Sequence, residues 1–183
     1  MARMRADAHR NRERLLESAT AAFAAADGSA VSLEAIARDA GVGIGTLYRH
    51  FPGREALVEA VYRAELAEVS AAAGVLLQHH PPVVALRHWM DRYAAFVAAK
   101  RGMAESLGAM LASGAVQASD TRSGIVGAVE LLLRAGATDG SLRDDVLADD
   151  VVSSLLGILL ASRSPEQSER MLDLLSAGIA ARP

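Results

Sequence analysis

Between Leu33 and Phe51 two short apolar-patterned segments meet at a glycine, and no other stretch limits the fold so tightly. Leu33 to Ala40 places its apolar residues at helical spacing and stops at Gly41. Ile44 to His50 resumes the pattern and stops at Phe51-Pro52-Gly53. Glycine readily takes the left-handed conformation of a tight turn, so the second helix must leave at an angle to the first. Ser32 stands where its hydroxyl can cap the first helix, and Glu34 favours that helix's positive end. Leu33, Ile36, Ala37, Val42, Leu47 and Phe51 then form a small core that fixes the crossing angle. Gly43, Ile44, Gly45, Thr46 and Arg49 are left facing outward. This is the spacing of a helix-turn-helix, a unit whose second helix fits the major groove of DNA with its N-terminal residues near base edges.

The remaining pattern is helical as well. Leu15, Leu16, Ala19 and Phe23 predict a first helix over 11–26, and Asp27-Gly28 stops it. A long helix is predicted from Arg54 to about Leu77, with Leu57, Val58, Val61, Tyr62, Leu66 and Val69 inward. His79-His80-Pro81-Pro82 breaks it, because proline lacks a backbone donor and disfavours helix in the residue before it. Further helices are predicted over 83–100, 103–113, 120–135, 149–162 and 166–181, with Gly136 to Gly140 separating two of them. Runs of β-branched and aromatic residues bounded by turn signals are absent. Together with abundant Ala, Leu, Glu and Arg and only five prolines, this predicts an all-α fold. The expected organisation is an N-terminal three-helix helix-turn-helix domain over 1–53. A long helix would join it to a C-terminal helical dimerisation and ligand domain over 54–183.

Charge follows that division. The chain of 183 residues carries a net charge of −3. Residues 1–63 hold nine arginines against eight acids, while the remainder is acidic. In the first fourteen residues Arg3, Arg5, Arg10, Arg12 and Arg14 face only Asp7 and Glu13, a basic arm of the kind found at DNA-proximal ends. Cysteine is absent, which excludes disulfides, thiolate metal sites and a cysteine nucleophile. The N-terminal arginines precede no apolar stretch, so no secretory signal is expected. The most apolar segment, 151–161, is far shorter than the roughly 20 residues that span a membrane. A cytoplasmic location without membrane contact is the expectation.

The run Ile36-Ala37 through Gly41-Val42, then Gly45-Thr46-Leu47-Tyr48-Arg49-His50-Phe51-Pro52-Gly53-Arg54-Glu55-Ala56-Leu57, resembles the signature of the tetracycline-repressor (TetR) family. The resemblance covers about the first third of the chain. It implies that Tyr48 and His50 meet DNA phosphates and that Thr46, with the start of its helix, approaches bases. Family members commonly have Lys where this chain has Arg54; arginine keeps the charge and adds a fork suited to phosphate. A Ser-Lys pair is common where this chain has Gly43-Ile44-Gly45, so this recognition helix begins with little hydrogen-bonding capacity. Readout would then depend on an Ile44 contact with a thymine methyl, on Thr46 and Arg49, and on DNA shape. The expected DNA-contact set is Ser32, Gly43, Ile44, Gly45, Thr46, Tyr48, Arg49, His50 and Arg54.

The resemblance further implies a homodimer bound to a palindromic double-stranded operator, with repression the commoner outcome. The apolar helix over 149–162 and the stripe on the last helix suit a four-helix dimer contact. Leu155, Leu156, Leu159, Met171, Leu172, Leu175 and Ile179 are the expected interface, the alternative being a monomer core built from the same residues. For a small apolar effector the candidate pocket is Trp89, Tyr93 and Phe96 at i, i+4, i+7, with His88 and Arg92 beside them and Met103 and Met110 on the next helix; the alternative, commoner for a stripe at this spacing, is plain core. Neither the adjacent His79 and His80 nor the acidic cluster Asp144, Asp145, Asp149 and Asp150 has the ligand spacing of a metal site. No nucleophile–base motif, phosphate loop or dinucleotide fingerprint occurs, so neither catalysis nor a cofactor is expected. The competing reading is a helix-turn-helix used for protein–protein contact without DNA.

Overall fold

The computed structural model describes residues 2–26, 31–100 and 118–181. Among them are eight α-helices: α1 (Ala2–Ala25), α2 (Leu33–Asp39), α3 (Ile44–His50), α4 (Arg54–His79), α5 (Pro82–Ala99), α6 (Ala118–Asp139), α7 (Ala148–Ala161) and α8 (Pro165–Ile179). No strand occurs among the described residues, and Leu142 and Ala180 form an isolated antiparallel bridge. The fold is all-α. The helix predicted over 103–113 lies outside the described residues.

These residues group into two compact units. The first takes 2–26, 31–65 and 98–100, so it holds α1 to α3 and the opening turns of α4. Leu15, Ala19 and Phe23 from α1, Ile36 and Ala37 from α2, Leu47 from α3, Phe51 after it, and Leu57, Val58 and Val61 from α4 are its buried core. Each helix contributes the apolar stripe that its 3.6-residue period predicts. α1 begins nine residues earlier than Asn11. Its first turns carry no apolar stripe, which is why the pattern did not reveal them. They are linked instead by surface pairs at i+3 and i+4: Arg10 with Asp7, and His9 with Glu13 at 3.2 Å.

The second unit takes 66–97 and 118–181. Its largest fully buried side chain is Trp89, accompanied by Leu86, Met90, Ile125, Leu132 and Leu155. The indole N–H of Trp89 donates to the Val69 carbonyl at 2.9 Å, so a polar group in the core has its partner. The break at His80-Pro81 is where the sequence placed it: His80 N–H closes the last turn of α4 on Leu76, and Ala85 N–H reaches back to Pro81.

The expected separator 136–140 is corrected by α6, which runs through Gly136 to Asp139 and stops at Gly140, where φ is +76°. Gly136 serves a different purpose. The chain turns back after Gly140 and lays Leu142 against α6, its side chain 2.3–2.7 Å from where a Cβ on Gly136 would stand. Arg143 then fastens the end of α8, its backbone N–H donating to the Ile179 carbonyl and its guanidinium to that of Gly178. No helix among the described residues is long and apolar enough to cross a membrane.

Candidate nucleic-acid interface

The helix-turn-helix is built by local chemistry. The Ser32 hydroxyl accepts from Ala35 N–H at 3.2 Å and donates to the Glu34 carboxylate at 2.8 Å. Its own backbone N–H, and then Ser32, hold the Glu34 carboxyl below its ordinary range. At the other end of α2, Gly41 takes φ +67°, Val42 N–H donates to Ala37 and Gly41 N–H to Arg38. These two bonds are the Schellman arrangement, which satisfies carbonyls that the helix end would leave unpaired. A side chain at Gly41 would be strained, so the turn depends on glycine here.

Gly43 starts α3 in an extended conformation with no side-chain cap, and its carbonyl accepts from Thr46 N–H at 2.8 Å. Leu47 and Phe51 are buried beneath α3 and set its rotation. The Arg12 guanidinium lies 5.3 Å over the Phe51 ring, which ties α1 to the exit from α3. With that anchor, Gly43, Ile44, Gly45, Tyr48 and Arg49 are exposed, and Thr46 and His50 are half-buried. Tyr48 presents 47% of its surface and Ile44 36%. The outer face of α3 thus offers a phenol, a guanidinium and one branched aliphatic group, close to the residues that the sequence assigned to DNA.

Two members of that set have structural duties. Ser32 uses its hydroxyl on the cap. Arg54 is half-buried, donates from Nη1 to the Val31 carbonyl at 2.7 Å, and lies 5.5 Å over the Phe23 ring. One arm of its fork is therefore committed to joining α4 to the segment before α2.

The aromatic stripe of α5 is core, and the polar residues beside it are not part of it. Trp89, Tyr93 and Phe96 are buried together, Trp89 stacked on Tyr93 with centroids 5.5 Å apart and Tyr93 6.2 Å from Phe96. His88 and Arg92 are exposed, and His88 meets His80 edge-on at 4.7 Å. Neighbouring positions on a helix lie about 100° apart, so a residue beside the stripe in sequence faces elsewhere. Met103 and Met110 lie outside the described residues. The sequence reading passed over Lys100, the only lysine in the chain, whose ammonium lies 5.1 Å over the Tyr62 ring. Desolvation holds it below its ordinary range, opposed by the nearby Glu65. Its uniqueness among nineteen basic residues was the available signal.

Of the expected dimer residues, Leu155, Leu159, Leu172 and Ile179 are buried within the protomer, while Leu156, Met171 and Leu175 are half-buried. Two leucines outside that set stand open on the same helices, Leu160 at 68% and Leu174 at 73%. In the acidic segment Asp145 pairs with Arg143 and Asp149 with Arg122. No cluster of three or more His, Asp or Glu that could hold a metal occurs among the described residues.

Comparison with known proteins places these features. Residues 15–61 match the model of bacterial regulatory proteins of the tetR family, and residues 81–181 match that of the SbtR-like transcriptional regulator C-terminal domain. A TetR transcriptional regulator from Streptomyces coelicolor is 42% identical, covering 94% of this chain and 99% of its own, with a TM-score of 0.84. A TetR transcription regulatory protein from Mycobacterium vanbaalenii is 32% identical over 97% of this chain and 99% of its own, with a TM-score of 0.77. An HTH-type transcriptional regulator of Staphylococcus aureus is 40% identical over 63 residues, a match that spans 34% of this chain and 34% of that protein.

Proposed function

The chain belongs to the TetR family of transcriptional regulators, DNA-binding proteins and not enzymes, and on that premise we propose that it represses transcription as a homodimer on a palindromic operator. The observation that carries the reading is the outer face of α3. Tyr48 and Arg49 stand free of the core on a helix whose rotation Leu47 and Phe51 fix. Tyr48, His50 and the uncommitted part of Arg54 supply phosphate contacts, and Gly43, Ile44, Gly45, Thr46 and Arg49 face the base edges. Phosphate contacts give most of the affinity and position the helix; the groove contacts specify sequence.

Dimerisation uses the outward face of α7 and α8. Leu156 and Leu160 lie one turn apart on α7, and Met171, Leu174 and Leu175 share a face of α8. Exposed Leu160 and Leu174 are the apolar surface a partner copy would cover, and Gly157 and Gly178, open around their Cα atoms, let helices approach closely. A two-fold pair of α3 helices must be set about 34–36 Å apart to enter successive major grooves on one side of the duplex.

A small apolar effector bound by the C-terminal residues releases the operator by favouring a conformer with a different helix separation. Its power is bounded by its differential affinity for the two conformers. On this reading residues 1–53 dock on DNA and 54–183 dimerise and regulate, with α4 running from one to the other.

The test is a DNA titration at several salt concentrations. Arg49→Ala and His50→Ala should each weaken binding, and affinity should fall steeply with salt. Affinity that ignores both substitutions and salt would refute the reading and leave a helix-turn-helix used for protein contact.

A further inference from the structure

The start of α3 carries a cost that the fold does not explain. Gly45 lies inside a helix, where glycine is less stable than alanine. Its backbone is not in the left-handed region, and no atom lies within 4 Å of where a Cβ would stand. Gly43 is the same: φ is −72°, which any residue adopts, and the space around it is open. Neither turn geometry nor packing asks for glycine at these positions, in contrast to Gly41 and Gly136.

Between the two glycines stands Ile44, 36% exposed, with no side chain at either adjoining position of the chain. It shares the outer face of α3 with Tyr48, one turn on. The exposed part of that side chain packs on nothing in the fold and is free to meet a complement outside the chain. Base edges in the major groove present mainly polar donors and acceptors, and their one apolar substituent of any bulk is the C5-methyl group of thymine. Pressing isoleucine onto the polar edges would strip their water without replacing its hydrogen bonds. The methyl is the group there that an aliphatic side chain complements best.

We propose that Ile44 reads a thymine C5-methyl group in each half of the operator, and that Gly43 and Gly45 lack side chains so that the start of α3 can come close enough to do so. The proposal rests on the DNA-binding reading above and names the base feature which that reading leaves open. Burying one methyl group changes a binding constant by about fourfold, so the symmetric pair is worth about fifteenfold.

The experiment uses the full chain and an operator fragment enriched by it from random DNA. Symmetry-related thymine pairs are replaced in turn by deoxyuridine, which keeps the pairing and removes the methyl. Affinity is measured by fluorescence anisotropy at fixed salt. One pair should weaken wild-type binding by about fifteenfold and the others by less than twofold. Ile44→Ala should bind the thymine operator about as weakly as wild type binds the uracil one, and should no longer distinguish the two. Ile44→Val, which keeps a branched methyl, should still distinguish them. Gly45→Ala should raise the melting temperature while weakening operator binding, a pairing that a merely structural glycine would not produce. Operators bound equally well with and without thymine methyls, or an Ile44→Ala protein that still senses them, would overturn the proposal. Failure to enrich any fragment would instead remove the DNA-binding reading, and this inference with it.

Discussion

Gly136→Ala and Gly127→Ala place the same methyl on the same helix and should shift stability in opposite directions. At Gly136 the new Cβ would lie 2.3 Å from Cγ, 2.4 Å from Cδ1 and 2.7 Å from Cβ of Leu142. That side chain is not free to withdraw. Leu142 is buried, its N–H and that of Ser141 both donate to the Gly136 carbonyl, and it forms the bridge with Ala180. Overpacking of this kind costs about 1–3 kcal/mol, and three close atoms on a tethered residue argue for the upper end. Alanine returns about 1 kcal/mol of helix propensity, leaving a net loss of about 2 kcal/mol. Gly127 has no atom within 4 Å of a new Cβ, so only the propensity gain applies. For a chain of this length 1 kcal/mol moves the melting temperature by about 2–4 °C. Thermal unfolding followed by far-UV circular dichroism, at one protein concentration because the proposed dimerisation would shift the transition, should therefore show a fall of about 4–8 °C for Gly136→Ala. Gly127→Ala should show a rise of about 2–4 °C. A Gly136→Ala protein as stable as wild type would refute the claim that the return of the chain onto α6 requires glycine.

Gly41→Ala should cost about 1–2 kcal/mol, because φ +67° is unfavourable for any residue with a Cβ; a melting curve checks it, and a DNA titration should show affinity falling with it. Trp89→Ala should cost about 3–5 kcal/mol in urea unfolding, since it removes the largest side chain of its core and the bond to the Val69 carbonyl. Stability should fall on acidification below about pH 4. Hydrogen bonding to Arg122 lowers the Asp149 carboxyl from its usual 3.8, and the Ser164 hydroxyl lowers Glu166 from 4.5. A depressed carboxyl contributes stability above its unfolded value and loses it as pH falls through its folded value. Asp149→Asn should therefore flatten the acid side of a plot of melting temperature against pH, and an unchanged slope would show the Arg122 contact to be without effect.

The helix-turn-helix was legible because what builds it is local. A capping serine, a left-handed glycine and buried Leu47 and Phe51 act within a few residues of one another, so sequence alone locates α2, the turn and α3. Elsewhere the determinants are distant. A helix apolar nearly all round has no phase to read, so the sequence could not tell that Leu155 turns inward and Leu160 outward; neighbouring helices make that choice. Gly136 reads as a breaker until Leu142, folded back from beyond the helix, shows why no side chain fits. Arg54 reads from the motif alone as a residue for phosphate, yet the Val31 carbonyl and the Phe23 ring claim part of it. The first turns of α1 have no apolar stripe at all, and only side-chain pairs between exposed residues reveal a helix there.

The central claim is that a pair of α3 helices reads two half-sites in successive major grooves. Selection of bound fragments from random double-stranded DNA by the purified full-length protein tests it most directly, because sequence, symmetry and spacing come from one measurement. The expected result is a palindrome whose half-site centres lie about one helical turn apart, or a multiple of it, lost from the selection when Arg49→Ala replaces the wild type. Enrichment of a single asymmetric site, or of nothing beyond the starting pool, would contradict it.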